Sequence, residues 1–363
     1  MKLKKRILSL TSLLLFILML FSSCTKSMDK SENIEIFNPK KSYEVADKYL
    51  ELIKNNNIEE ANNLCTENLI SNNKEISTGT SRIIAYAPDN LIESSKSAFI
   101  TFNVIRNSSS EPKCDLDNYA IKVIKEGDEY KIDEIKATNL KQVFVRNKSL
   151  RMINEDGGKS DLIISLNNIP KDVYLKENEL MLYKEKVPAE TFGPVSLGYK
   201  GKKIAISTIS GNKAFISIAF IEESKETQGE GSSNTQQQEG NVETGLEELT
   251  DKPIAKKIIP LDMLNEVKLD NLVFTQEERY LIVEYMNSSD VKRMKVYNGA
   301  TGDLVALNFD EIFSDNKYNI ELLEFKKDEF KINVSAKDGM KEIDNEIIGE
   351  YNIDVEKEEI KKI

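Results

Sequence analysis

"ERYLIVEYMNSSDVKRMKVYNGATGDLVALNF", Glu278 to Phe309, sets the period on which the larger part of this chain is built. Leu281, Val283 and Tyr285 fall on one face of a strand, because successive side chains of an extended chain point to opposite sides. A polar turn follows, and Met294, Val296 and Tyr297 resume the apolar run. A second turn leads into Leu304 to Leu307. Short apolar runs separated by Asn, Ser, Asp and Gly predict antiparallel hairpins.

Working outward, "GKKIAISTISGNKAFISIAFIEE" (Gly201–Glu223) carries two alternating runs around a Ser210–Gly211–Asn212 turn. "DEFKINVSAKDGMKEIDNEIIGEYNIDVEKEEIKKI" (Asp328–Ile363) does the same with Phe330, Ile332 and Val334, then Tyr351 and Ile353, then a last basic strand. "DLIISLNNIPKDVYLKENELMLY" (Asp161–Tyr183) reads as an earlier, weaker copy. The repeats recur at about 40–50 residues, within the range of propeller blades. "KVYNGATGDLVAL" (Lys295–Leu307) resembles the third-strand, turn and fourth-strand segment of WD-type and quinoprotein-type β-propellers. It departs from them in lacking the Trp-Asp pair, with Tyr297 where Trp would stand. Three or four repeats are visible, and a closed ring needs at least about four blades. An incomplete propeller, a four-bladed one and a sandwich of similar hairpins stay open, so residues 143–363 are expected to form a mainly-β domain of propeller-like repeated hairpins. Residues 223–252, rich in Glu, Gln, Gly, Ser and Thr, are expected to be a disordered insert, because they offer too little apolar surface to offset the entropy of ordering.

The period changes upstream. In "SYEVADKYLELIKNNN", Ala46, Tyr49, Leu50 and Ile53 share one helical face, with Ser42 as N-cap and Asn55–Asn57 as terminator. Ile58, Ala61 and Cys65 predict a second short helix. "AFITFNVIR" alternates as a strand, and "NYAIKVIKEGDEYKIDEIK" as two more around Glu126–Gly127–Asp128. Helices followed by an antiparallel sheet give an α+β domain over residues 40–142. "YLELIKNNNIEEANNLCTENL" with "YAIKVIKEGDEYKIDEIK" resembles the NTF2-like domains of many small lipoproteins, which implies a helix hairpin across a curved sheet and a cone with an open mouth.

The chain starts with Lys2, Lys4, Lys5 and Arg6, then an apolar core from Ile7 to Phe21, shorter than the ~20 residues a spanning helix needs. Ser22, Ser23 and Cys24 follow, and "FSSC" resembles the lipobox of bacterial lipoproteins, with Phe21 in place of the usual leucine. That resemblance implies a signal peptide over 1–23, cleavage after Ser23 and lipidation of Cys24. The mature chain is then held by lipid on the extracytoplasmic face of the cell membrane, and residues 24–39 form a polar tether. Loss of the leader's four cations moves the formal charge from −11 to −15. Such a chain is repelled by polyphosphate, so nucleic acid is not an expected partner.

The sequence contains no histidine and no tryptophan. Without imidazole, Ser-His and Cys-His catalytic pairs and histidine-ligated zinc are excluded. After lipidation Cys65 and Cys114 remain; a disulfide and two buried thiols both stay open, the thiols favoured because nothing in the sequence places the two side by side. "GGKS" (Gly157–Ser160) ends like a phosphate-binding loop, but Ile153 stands where that loop needs glycine. "DLD" (Asp115–Asp117) and "NEDGG" (Asn154–Gly158) read as acidic turns without the ligand spacing of a calcium loop. No catalytic residue, cofactor or metal ligand is assigned, and oligomeric state has no signature here. The first expectation is a non-catalytic binding or assembly module at the cell envelope, with envelope proteins or cell-wall polymer as partners. An envelope hydrolase using paired carboxylates on cell-wall polymer comes second, and a small-ligand receptor using the cone third.

Overall fold

The computed structural model describes residues 37–72, 81–155, 157–174, 183–222, 252–326 and 329–363. Cys24 with its leader, and residues 223–251 of the insert, lie outside the described residues. Pro39–Ile363 form one compact unit, which carries everything that follows.

Helix α1 (Pro39–Lys54) opens on Pro39, whose fixed φ suits the first helical position. It therefore starts before the expected cap, and Ser42 lies buried inside it with Ala46, Tyr49 and Leu50. Leu52 is buried where Ile53 was expected. Asn56, at φ 60, breaks the helix, and α2 (Ile58–Asn63) and α3 (Glu67–Asn72) follow.

The first sheet is a six-stranded antiparallel meander of β1 (Ser81–Glu93), β2 (Ser97–Ser108), β3 (Cys114–Glu126), β4 (Glu129–Arg146), β5 (Ser149–Asn154) and β6 (Asp161–Ser165). Gly127, at φ 63, turns β3 into β4 at the position where the EGDE stretch predicts it. Helix α1 packs on β1 to β4. Ala98, Ile100, Phe102 and Val104 are buried at alternate positions of β2 and form one face; Ile105, Cys114, Leu116 and Val143 belong to the other. Strand β9 (Thr191–Leu197) lies against that second face, where the Leu197 amide donates to Cys114 Sγ at 3.3 Å. The sheet is thus covered on both sides. Strand β4 runs through the boundary expected at 142/143, and the Asp161 run, expected as a weak repeat, extends this sheet as β6 instead.

After the short ladder of β7 (Asp172–Val173) with β8 (Glu185–Lys186), three more antiparallel meanders follow in chain order. The second sheet comprises β9, β10 (Lys203–Ser210), β11 (Lys213–Ile221) and β12 (Ala255–Asn265). The third comprises β13 (Lys268–Phe274), β14 (Tyr280–Met286) and β15 (Lys292–Asn298). The fourth comprises β16 (Tyr318–Lys326), β17 (Glu329–Ala336), β18 (Gly349–Asp354) and β19 (Glu359–Lys362). In the third sheet the run Leu304–Leu307 reaches only a single bridge, Tyr297 to Leu304, before α4 (Phe309–Ile312) leads the chain away. The architecture is mainly β with curled sheets.

Candidate functional site

Residues Tyr43, Asp47, Glu51 and Lys54 recur at i, i+4, i+8 and i+11 along α1, so they form a stripe beside its buried face. That stripe lines an open cleft of about 640 Å³. Ala85, Tyr86 and Pro88 of β1 complete the wall on that side. Facing them are Gln276, from the β13–β14 turn, and Glu324 and Glu329, which flank the β16–β17 hairpin. Asp354, Glu356 and Lys357 of the β18–β19 turn close the rim. The cleft therefore lies where the helical layer meets the turns of the third and fourth sheets.

Its aromatic wall is fixed from below. Phe102 stacks on Tyr43 with ring centroids 5.9 Å apart, and Tyr86 meets Phe102 edge-on at 5.8 Å. The Tyr86 hydroxyl donates to the Asp47 carbonyl at 3.2 Å. Burial, and then the Asp47 carboxylate, push the Tyr43 phenol up to about 12, so both rings are neutral at physiological pH. At the floor, Lys54 donates to the Leu323 carbonyl of β16 at 2.6 Å. Burial pulls this amine below its ordinary range, while Glu284, Glu51 and Glu324 pull it the other way. Six carboxylates and two amines line the cleft. Chemically it offers flat apolar rings bordered by negative charge, an arrangement suited to holding the aliphatic stems and charged tips of basic side chains.

The sequence reading missed this stripe because it followed the apolar face of α1. The signal was present in the same helix, in the spacing of Tyr43, Asp47, Glu51 and Lys54.

Asp115 and Asp117, expected in a turn, stand instead inside β3 with their carboxylates buried. Arg106 of β2 donates from Nε to Asp117 at 2.5 Å and lies 3.8 Å from Asp115. Asn139 donates to Asp117 at 2.8 Å, and Gln142 to Asp115 at 2.7 Å. The pair is saturated by its own neighbours and lines no part of the cleft. The Gly157–Ser160 stretch is pinned by buried Arg151, which donates to the Ser160 hydroxyl and carbonyl at 2.8 and 2.6 Å. Gly157 donates to the Asn154 carbonyl at 3.0 Å, closing that turn.

Cys65 and Cys114 are both buried free thiols. Cys65 bridges to Ile132, which pairs with Val123 of β3; Cys114 begins the same strand nine positions earlier, about 30 Å away along an extended chain. Among the described residues no group of three or more Cys, Asp or Glu is placed to hold a metal ion, and no helix is long and apolar enough to cross a membrane.

No protein-family model matches the sequence. No curated protein matches it either. Solved structures to which the chain is similar are β-propeller proteins. Hsv2 from Kluyveromyces lactis shares 10% identity over 68% of this chain and 65% of its own, with a TM-score of 0.27. Oligopeptidase B from Leishmania major shares 8% over 82% of this chain and 42% of its own, with a TM-score of 0.25. TolB from Acinetobacter baumannii shares 6% over 74% of this chain and 62% of its own, also at 0.25. The chain thus spans less than two thirds of each of these three. A likeness at such scores assigns neither a function nor the closure of a ring.

Proposed function

We propose that this chain is a non-catalytic binding or assembly module of the cell envelope, tethered through lipid on Cys24 at the extracytoplasmic face. The cleft of about 640 Å³ between α1 and the turns of the third and fourth sheets carries the reading. Its volume lies within the ~300–1,000 Å³ of ordinary ligand sites. Its tyrosine and carboxylate lining matches a basic segment of an envelope protein. Helices packed on an antiparallel sheet support the NTF2-like assignment of the first part, in which this cleft takes the place of the cone's mouth. The three later meanders support the propeller-like assignment of the second.

The test is fluorescence polarisation of the full chain in detergent with a labelled Lys-rich peptide and an acidic control. The basic peptide should bind at low salt and be released at about 0.5 M salt, where the screening length is only a few ångströms. Joint Glu51→Gln and Glu329→Gln substitution should weaken it about tenfold, close to 1.4 kcal/mol. Equal binding of the acidic peptide, or an unchanged double variant, removes the assignment. Release of sugar or peptide from wall fragments by the purified chain moves it to the envelope hydrolase.

A further inference from the structure

A second hollow, of about 330 Å³, opens where the β2–β3 hairpin meets β9 and the start of β13. It lies at the junction of the first, second and third sheets, and junctions between structural layers are where small-ligand sites recur. Asn107, near the end of β2, lines it. This side chain is only 7% exposed, and its amide oxygen has no hydrogen-bond partner. That oxygen is closed off from solvent as the side chain stands, so a donor in the hollow, an O–H or an N–H, meets it only when the amide turns. Asn107 pairs across the ladder with Arg82 of β1 on one side and Cys114 on the other, so it belongs to the face covered by β9 rather than by the helices.

The charge around it differs from that of the cleft on α1. Arg82, Lys113 and Lys268 converge on the hollow, and none has a side-chain ion pair or hydrogen bond among the described residues. In a chain of net charge −11, a lining with three cations from three separate segments gives this hollow a local positive balance that favours an anion. The hollow is not uniformly basic, since Glu111 and Asp270 also line it. Ser108, Ser109 and Ser110 supply hydroxyls along one wall, with the first and third 3.1 Å apart. Cations, acceptors and hydroxyls around a space of this size match a ring bearing several hydroxyls and one acidic group.

We propose that this hollow binds an acidic sugar, with the acid among Arg82, Lys113 and Lys268 and the Asn107 amide turning to accept from a ring hydroxyl. The unit can arrive as a free sugar acid or as part of an anionic envelope polysaccharide. The site is separate from the cleft on α1 and stands whether or not that cleft binds a partner.

Calorimetric titration of the full chain in detergent with glucuronate, glucose and polygalacturonate tests it. Glucuronate is expected to bind at least about tenfold more tightly than glucose. Joint Arg82→Ala and Lys268→Ala substitution, at exposed positions, should reduce that affinity about tenfold with the melting temperature unchanged. Asn107→Asp, which sets a like charge beside the ligand, should also reduce it, whereas Glu51→Gln in the other cleft should not. Binding of the polymer alone, lost in the double variant, assigns the site to polysaccharide. No heat with any of the three, equal heats for glucose and glucuronate, or an unchanged double variant overturns the proposal.

Discussion

Arg106 ties the end of β2 to the start of β3, because among the described residues it is the one cation against two carboxylates that are 3% and 2% exposed. Deleting one member of a buried ion pair leaves an uncompensated charge, so Arg106→Met should destabilise the fold by about 3–5 kcal/mol in urea titration. Asp117→Asn in that background should recover part of the loss. Full additivity of the two changes would mean that the pair is not coupled. The thiols give a second prediction. Burial pushes Cys65 up to about 11 and Cys114 up to about 12, against an unfolded thiol near 8.5–9. Between these values the unfolded chain has released protons that the folded chain retains, so stability falls as pH rises. The contribution is fully present below about pH 8.5 and is lost through pH 11 for Cys65 and pH 12 for Cys114. The double variant Cys65→Ala, Cys114→Ala should show a shallower alkaline slope in urea unfolding. Native protein should also resist thiol reagents at neutral pH and titrate both cysteines once unfolded without reductant. The residue scale was the least legible in the sequence. "DLD" has the composition of a turn, and only the pairing of β3 with β2 and β4, set by residues far along the chain, shows that its carboxylates point inward.

Elements were more legible, for a reason visible in which strands could be read. Runs such as β10, β11, β14, β15 and β17 combine alternation with β-branched or aromatic residues and end on turn-formers, so local chemistry and tertiary burial agree. Strand β9, "TFGPVSL", carries Gly and Pro inside, and local rules demote it; it is a strand because it covers Cys114 and pairs with β10. Strand β1 was missed because its second half is exposed and carries no inward-facing alternation. Helix α1 was found in the right place but with its start displaced, since Pro39 can open a helix that Ser42 was expected to cap. One turn breaks its own rule. Asn147 and Lys148 join β4 to β5 with φ of 49 and 60, although two-residue hairpins of this hand favour Asn-Gly. A non-glycine residue held left-handed is strained by about 1–2 kcal/mol, part of which glycine returns as backbone entropy. Lys148→Gly is therefore expected to stabilise the protein by about 0.5–1 kcal/mol, read as a rise in melting temperature. A fall would show that Lys148 contributes through its side chain.

At the scale of the molecule, the sheets are joined by polar bonds that cross from one to the next. Buried Asp262 of β12 accepts from Tyr297 Oη at 2.6 Å and Lys295 Nζ at 2.7 Å, both on β15. Buried Arg293 of β15 donates to the Tyr318 carbonyl at 3.1 Å and pairs with Asp310, joining the third sheet to α4 and the fourth. Lys54 reaches from α1 to β16, and Lys141 of β4 donates to the Gly201 carbonyl at 3.1 Å. A boundary at 142/143 implies two separately folding parts and hence two unfolding transitions. The crossing bonds, the passage of β4 through that boundary and the covering of the first sheet by β9 imply one. Each part leaves the other's apolar face exposed if it unfolds alone, and that exposure is what makes small domains unfold together. Urea unfolding of the full chain, followed by far-UV circular dichroism and by the exposure of Cys114 to a thiol reagent, should therefore give coincident midpoints. Asp262→Ala, which removes the acceptor of both bonds between β12 and β15, should shift both midpoints together. Separation of the two probes in the parent protein, or a shift of only one in the variant, would show that the first sheet folds independently of the sheets that follow.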